Sequence, residues 1–288
     1  MSERAGRWPG GARAAVSVTF DNLGEAAEQE LGFDTPTGAH YSVLRALPIV
    51  LGELAEQALS ATFFIEGVNA QTYPQALGSI ADRGHECAYH AWRHEDWSTL
   101  STEQERENLA RGLDAMRACG LDPAGFRPPC GLLGARTLEL LHNVGLSYCS
   151  PAGTGIGIDR IVLLPFAWRN VDAYHLLDSF ASLRSHIDGA PEPGGPDRVA
   201  DTQVAAVDDA ITSGGHACLV LHTWLIEAEL DAVRQVLAHI RAAAERGDIW
   251  VARCDAVAEA VRRQPHPFSD TIALDTTSWS APPNVASH

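Results

Sequence analysis

No lysine occurs among the 288 residues, so all 21 basic side chains are arginines. Schiff-base catalysis through lysine and a phosphate-loop lysine are thereby excluded. Paired cysteines at metal-finger or redox spacing are missing too. Cys87, Cys119, Cys130, Cys149, Cys218 and Cys254 are scattered, several inside apolar runs, and read as reduced, mostly buried thiols. No run of eighteen apolar residues is present, and in the opening MSERAGRWPGGARAAVSVTF a Trp-Pro-Gly-Gly turn and Arg13 interrupt the stretch that a secretion signal needs. A cytoplasmic location without a membrane partner is therefore expected. A basic surface is lacking as well: the formal charge is −16, with no local basic patch, which argues against nucleic acid as a partner.

What the sequence does have is 45% hydrophobic residues, enough for one sizeable core. Short β-rich apolar runs recur at 13–20, 60–65, 84–90, 146–149, 161–164, 217–222 and 249–252. Segments with helical spacing lie between them. Ser101 and Gln104 form a capping box ahead of Leu109, Leu113 and Met116 on one face, with Gly120 after the last turn. A second helix is expected over about 227–246, with Leu230, Val233, Leu237 and Ile240 on one stripe and Gly247 as its stop. Strands alternating with helices predict parallel β/α units; periodicity alone does not choose between a barrel and a doubly wound sheet. The Pro- and Gly-rich stretch 188–198 reads as a surface loop, and no internal repeat is present.

Candidate chemistry gathers where strands end. In VTFDN, Asp21 and Asn22 close an apolar run, the edge where barrel enzymes place catalytic groups, although a strand-ending Asp is also a common helix cap. In GHECAYHAWRHEDW, His90 and His94 stand four apart, so that on one turn of helix both rings point the same way and share a cation, with Trp92 and Trp97 suggesting a walled pocket. In FRPPCG, two prolines fix the backbone after Arg127 and hold its guanidinium for a carboxylate. In CLVLHTW, His222 ends another apolar strand and completes an acid/base set.

The ordered series TFDN, ATFFIEG, GHE with HAWRH, FRPPCG and LVLHTW resembles the polysaccharide deacetylase superfamily, also called the NodB-homology domain or carbohydrate esterase family four. The resemblance runs from about Ala14 to Arg262 and implies an α/β fold, a distorted (β/α)7-type TIM-like barrel with one divalent metal. The expected layout is a lead-in at 1–12, a catalytic barrel at 13–264 and an irregular tail at 265–288. By resemblance, Asp21 is the catalytic base, His90 and His94 are metal ligands, Arg127 orients the base, and His222 is the general acid. In PFAWRNVDAY, Trp168 and Asp172 are similar to the family's fourth motif, in which an aspartate pairs with the arginine and an aromatic lines the pocket. Trp92, Pro129, Cys130, Gly131, Trp168 and Trp224 are the expected substrate contacts.

Two departures from the family pattern stand out. Asn22 occupies the place of an aspartate that supplies the third metal ligand, and Cys130 stands where the arginine motif ends in an aromatic. A His2Asn site carries less charge, so it is expected to hold metal more loosely and to acidify bound water further than His2Asp; Glu25 or Asp34 is the alternative ligand. Zinc is the first expectation for the ion, with cobalt, nickel and iron as alternatives. The implied activity is metal-dependent hydrolysis of a non-peptide C–N bond, foremost deacetylation of an N-acetylated sugar or small N-acyl metabolite. The alternatives are cyclic imide or ureide hydrolysis on the same barrel and a catalytically inactive binding protein. The implied partner is a small N-acyl substrate, and homo-oligomerisation is left open.

Overall fold

The computed structural model describes residues 6–265 and 272–276. Its centre is β1 (Ala14–Asp21), whose eight residues are all buried. A strand covered on both faces has no use for alternating polarity, which is why AAVSVTF reads as a continuous run. Its two hydroxyls are satisfied internally: Ser17 donates to the Ala252 carbonyl and Thr19 to the Leu219 carbonyl.

Parallel pairing continues outward through β2 (Ala61–Ile65), β3 (Glu86–Tyr89), β4 (Gly125–Phe126), β5 (Tyr148–Cys149) and β6 (Val162–Leu163). On its other edge β1 pairs in parallel with β7 (His216–His222), while β8 (Ile249–Val251) pairs with its first residues on the edge that β2 occupies further along. The gap between β6 and β7 is spanned by an isolated bridge of Val171 to Val220. The result is a distorted, open α/β barrel rather than a doubly wound sheet. All seven apolar runs expected to be strands contain one; β4 went unread because only two of its residues pair before the prolines begin.

Helices pack around this sheet. α1 (Thr102–Ala118) has the expected reciprocal cap, Ser101 and Gln104 each engaging the other's backbone, and buries Leu109, Leu113 and Met116. α2 (Ile226–Glu245) buries Val233, Leu237 and Ile240, and Gly247 follows with φ 77°. The loop read at 188–198 is shorter than expected, because a helix spans Gly195–Ser213 from its proline onward. In the tail read as irregular, Ala273–Leu274 pair antiparallel with Gly153–Thr154, and most of the rest lies outside the described residues. No helix among the described residues is long and apolar enough to cross a membrane.

Candidate active site

Parallel strands place their last residues at one edge of the barrel. Asp21 and His222 are direct neighbours in the β1–β7 register. His90 and Arg127 each follow one member of the Tyr89–Phe126 pair that joins β3 to β4. A cavity at this edge is lined, among the described residues, by Asp21, Asn22, His90, His94, Arg127 and His222, with Cys130, Gly131, Trp168 and Trp224 on its walls.

Arg127 is fully buried and its donors are saturated. It reaches Asp21 Oδ1 at 2.5 Å, the Thr19 hydroxyl at 2.8 Å, the Ser150 hydroxyl at 3.0 Å and Cys218 Sγ at 3.1 Å, and its guanidinium lies 3.9 Å over the Phe64 ring. Burial drives the Asp21 carboxyl upward more strongly than Arg127 and His222 pull it down, so its pKa is raised on balance. Arg127 favours the ionised form of Asp21, but burial outweighs it.

Asp172 is not the partner of Arg127 that the resemblance implied. Its carboxylate instead accepts from the backbone N–H and Nδ1 of His222, both at 2.5 Å, because the guanidinium is already engaged by other groups. Burial works against the His222 imidazolium, yet the Asp172 charge and hydrogen bond, with Asp21 behind them, raise its pKa. Glu229, which the sequence reading missed, completes this group. Its carboxyl is buried, meets Asp172, and is pushed up to about 11 by burial and by that neighbouring charge. A carboxyl that keeps its proton becomes a donor, and the Asp172 carboxylate is the acceptor beside it. In the sequence Glu229 is indistinguishable from an ordinary acidic residue in a helix's first turn.

His90 and His94 come together with ring centroids 5.0 Å apart, but not on a helical turn. The segment after β3 is irregular, and Ala91 and His94 have φ values of 63° and 77°, which are incompatible with a right-handed helix. His90 Nδ1 lies 2.8 Å from the Arg127 carbonyl. Donation there fixes the tautomer and leaves the Nε2 lone pair for a ligand. Burial pushes both imidazoles down to about 3, keeping them neutral as metal binding requires.

Among the described residues no three His, Cys, Asp or Glu side chains converge as a metal cluster. The third donor that the structure offers is uncharged. Asn22 has a left-handed backbone at φ 58°, and its Oδ1 is buried without any hydrogen-bond partner. A buried orphan carbonyl beside two neutral imidazoles fits a divalent cation. The two alternatives do not: Glu25 is engaged by the Tyr73 hydroxyl and the Gly38 N–H, and Asp34 is exposed.

Other expected contacts lie elsewhere. Trp92 is buried under Arg111, whose guanidinium sits 3.8 Å over its ring, and Trp97 belongs to the core, bonded to Thr137. Pro129 is absent from the lining, and the adjacent Pro128 is present.

Comparison with known proteins agrees with this fold. A family model described as polysaccharide deacetylase matches residues 11–149. A putative polysaccharide deacetylase from Mycobacterium smegmatis superposes with a TM-score of 0.77 at 27% identity, covering 94% of this chain and 96% of that one. The chain belongs to the polysaccharide deacetylase superfamily. Among other superfamily relatives, a chitooligosaccharide deacetylase from Sinorhizobium fredii is 28% identical over 61% of this chain and 79% of its own length. A chitin deacetylase from Saccharomyces cerevisiae is 36% identical over 30% of this chain but only 29% of its own. The first curated relatives are matched over 27–42% of their length.

Proposed function

We propose that the chain hydrolyses a non-peptide C–N bond in a small N-acyl compound, with Asp21 as base, His222 as general acid and a divalent cation, zinc foremost, held by His90, His94 and Asn22. The observation that carries the reading is the convergence on one cavity of an arginine-held carboxylate, a carboxylate-held histidine and two neutral histidines beside an orphaned amide oxygen.

When bound, the cation supplies Lewis acidity and a counter-charge for the developing oxyanion. The work of the chain's own residues follows from their partners. Asp21 takes the proton of the attacking water at Oδ2, since Oδ1 is held by Arg127. His222, oriented through Nδ1, presents Nε2 to the departing nitrogen and donates the proton that the Asp172 charge helps it retain. Cys130 and Gly131 of the Pro129–Gly131 turn line the same cavity, and in this reading a backbone N–H of that turn faces the developing oxyanion.

Substrates of one kind separate the readings. On a panel of N-acyl amines and cyclic imides, turnover by the zinc-loaded protein is expected. Asp21→Asn should lower kcat by at least about a thousandfold while metal content stays at wild-type level. An Asp21→Asn variant with ordinary turnover would remove Asp21 as the base. A wild type that loads metal yet turns over no member of the panel would favour the inactive binding protein.

A further inference from the structure

The wall of the cavity carries more information than its catalytic floor. Phe166, Trp168, Val171, Leu177, Phe180 and Val220 form it, and none bears a charge. The space open to water is about 110 Å³, several times the roughly 10–15 Å³ that one water needs on this measure. Cys130, a small side chain, lines the same space.

Much of the polar surface at the cavity floor is engaged within the protein, and what stays open there, Asp21 Oδ2, Asn22 Oδ1 and the Nε2 atoms of His90 and His222, belongs to the catalytic set. Arg127 is saturated by Asp21, Thr19, Ser150 and Cys218; His90 Nδ1 is on a carbonyl; His222 Nδ1 is on Asp172. Outside the catalytic set, the polar side chains of the described wall are only Ser179, the Cys130 thiol and the indoles of Trp168 and Trp224. A sugar ring placed here would bury several hydroxyls against carbon, which is unfavourable for each one left unpaired. An apolar ring or branched chain placed here would exchange water for carbon contacts, at roughly a fourfold gain in affinity per buried methylene.

We propose that this cavity selects a bulky apolar acyl group, aromatic or branched aliphatic, on the carbonyl side of the scissile bond, and discriminates against both acetyl and sugar rings. The inference rests on the hydrolase reading for its chemistry, but its binding consequence stands apart from turnover.

The experiment therefore has two arms. In the first, calorimetry on the protein as purified compares benzamide, isobutyramide, acetamide and N-acetylglucosamine. Benzamide and isobutyramide are expected to bind at least about tenfold more tightly than acetamide, with a negative heat-capacity change. Leu177→Asn, in a half-buried wall position, should lose most of that preference. In the second arm, kcat/KM is measured for N-benzoyl, N-isobutyryl and N-acetyl derivatives of one amine, with the benzoyl compound expected to lead acetyl by at least about tenfold. Acetamide or N-acetylglucosamine binding as tightly as benzamide, or a series led by the acetyl compound, overturns the proposal. Selective benzamide binding without turnover of any compound upholds the apolar pocket and removes the hydrolase reading beneath it.

Discussion

At the scale of single residues, Asn22 decides how much charge the proposed metal site carries. It sits at φ 58°, a region that asparagine and aspartate both enter more readily than other side chains. Its Oδ1 is buried without a partner and so already desolvated toward whatever it binds. Replacing the amide by a carboxylate leaves shape and backbone preference almost unchanged and adds one negative charge beside the two imidazoles. Asn22→Asp is accordingly expected to fold normally and to bind zinc at least about tenfold more tightly, because ligand charge count is a principal determinant of affinity at such sites. Competition against a chelator of known affinity reads this directly. Equal affinity in the two proteins would show that the Asn22 side chain does not face the ion.

At the scale of elements, the position of His90 depends on how closely α1 approaches β3. A Cβ built on Gly112 would come within 2.1 Å of the Tyr89 hydroxyl, and one on Gly67 within 2.7 Å of the Gly112 Cα. The Tyr89 hydroxyl is pinned to Asn108 one turn earlier, so the ring cannot swing aside cheaply. Gly112→Ala is expected to cost about 1–3 kcal/mol of stability through overpacking, despite the better helix propensity of alanine; denaturant unfolding measures it, and a neutral or stabilised variant would contradict this packing. The sequence hid such a contact, since a glycine inside a helical pattern is only a weakness until its neighbour is known. The same holds for the His90–His94 segment: the spacing correctly brought two rings together, but the left-handed φ values of Ala91 and His94, invisible in the spacing, make it a turn. By contrast, the cap of α1 and the strands flanking the site were legible because hydrogen bonds between near neighbours and buried runs of β-branched residues are local facts.

At the scale of the whole molecule, residues that end strands were readable as a site because the barrel sends every strand end to one edge, whereas partners arriving from other elements, such as Glu229 from α2 and Ser150 and Cys218 around Arg127, were not. Those buried partners also set how stability responds to pH. Burial raises the Glu66 carboxyl to about 8, and burial with the Asp172 charge raises Glu229 to about 11. Between about pH 6.5 and 8 the folded chain therefore keeps protons that an unfolded carboxyl, with a pKa near 4.3, has released, and stability falls as pH rises, by roughly 1 kcal/mol per pH unit for each such group. His222, also raised, contributes stability that is lost as pH climbs through its folded pKa. Cys218 runs the opposite way, because its hydrogen bond with Cys254 and the Arg127 charge, acting against burial, lower it to about 7. Below about pH 6.5 the sign is divided: His85, His175 and His216 are held neutral by burial, so acid favours the unfolded chain and offsets the raised carboxyls. The melting temperature of the metal-free protein is expected to fall from pH 6.5 to pH 8. In Glu229→Gln the decline should be shallower, since one of the contributing carboxyls is gone, with Glu66 and Glu86, raised to about 8 and about 7, still contributing, while an amide still donates to Asp172. Thermal unfolding at pH 6.5, 7.25 and 8 decides it: a melting temperature that climbs across this interval would mean that Glu66 and Glu229 are ionised in the fold, and that the Asp172 carboxylate faces a second charge rather than a donor.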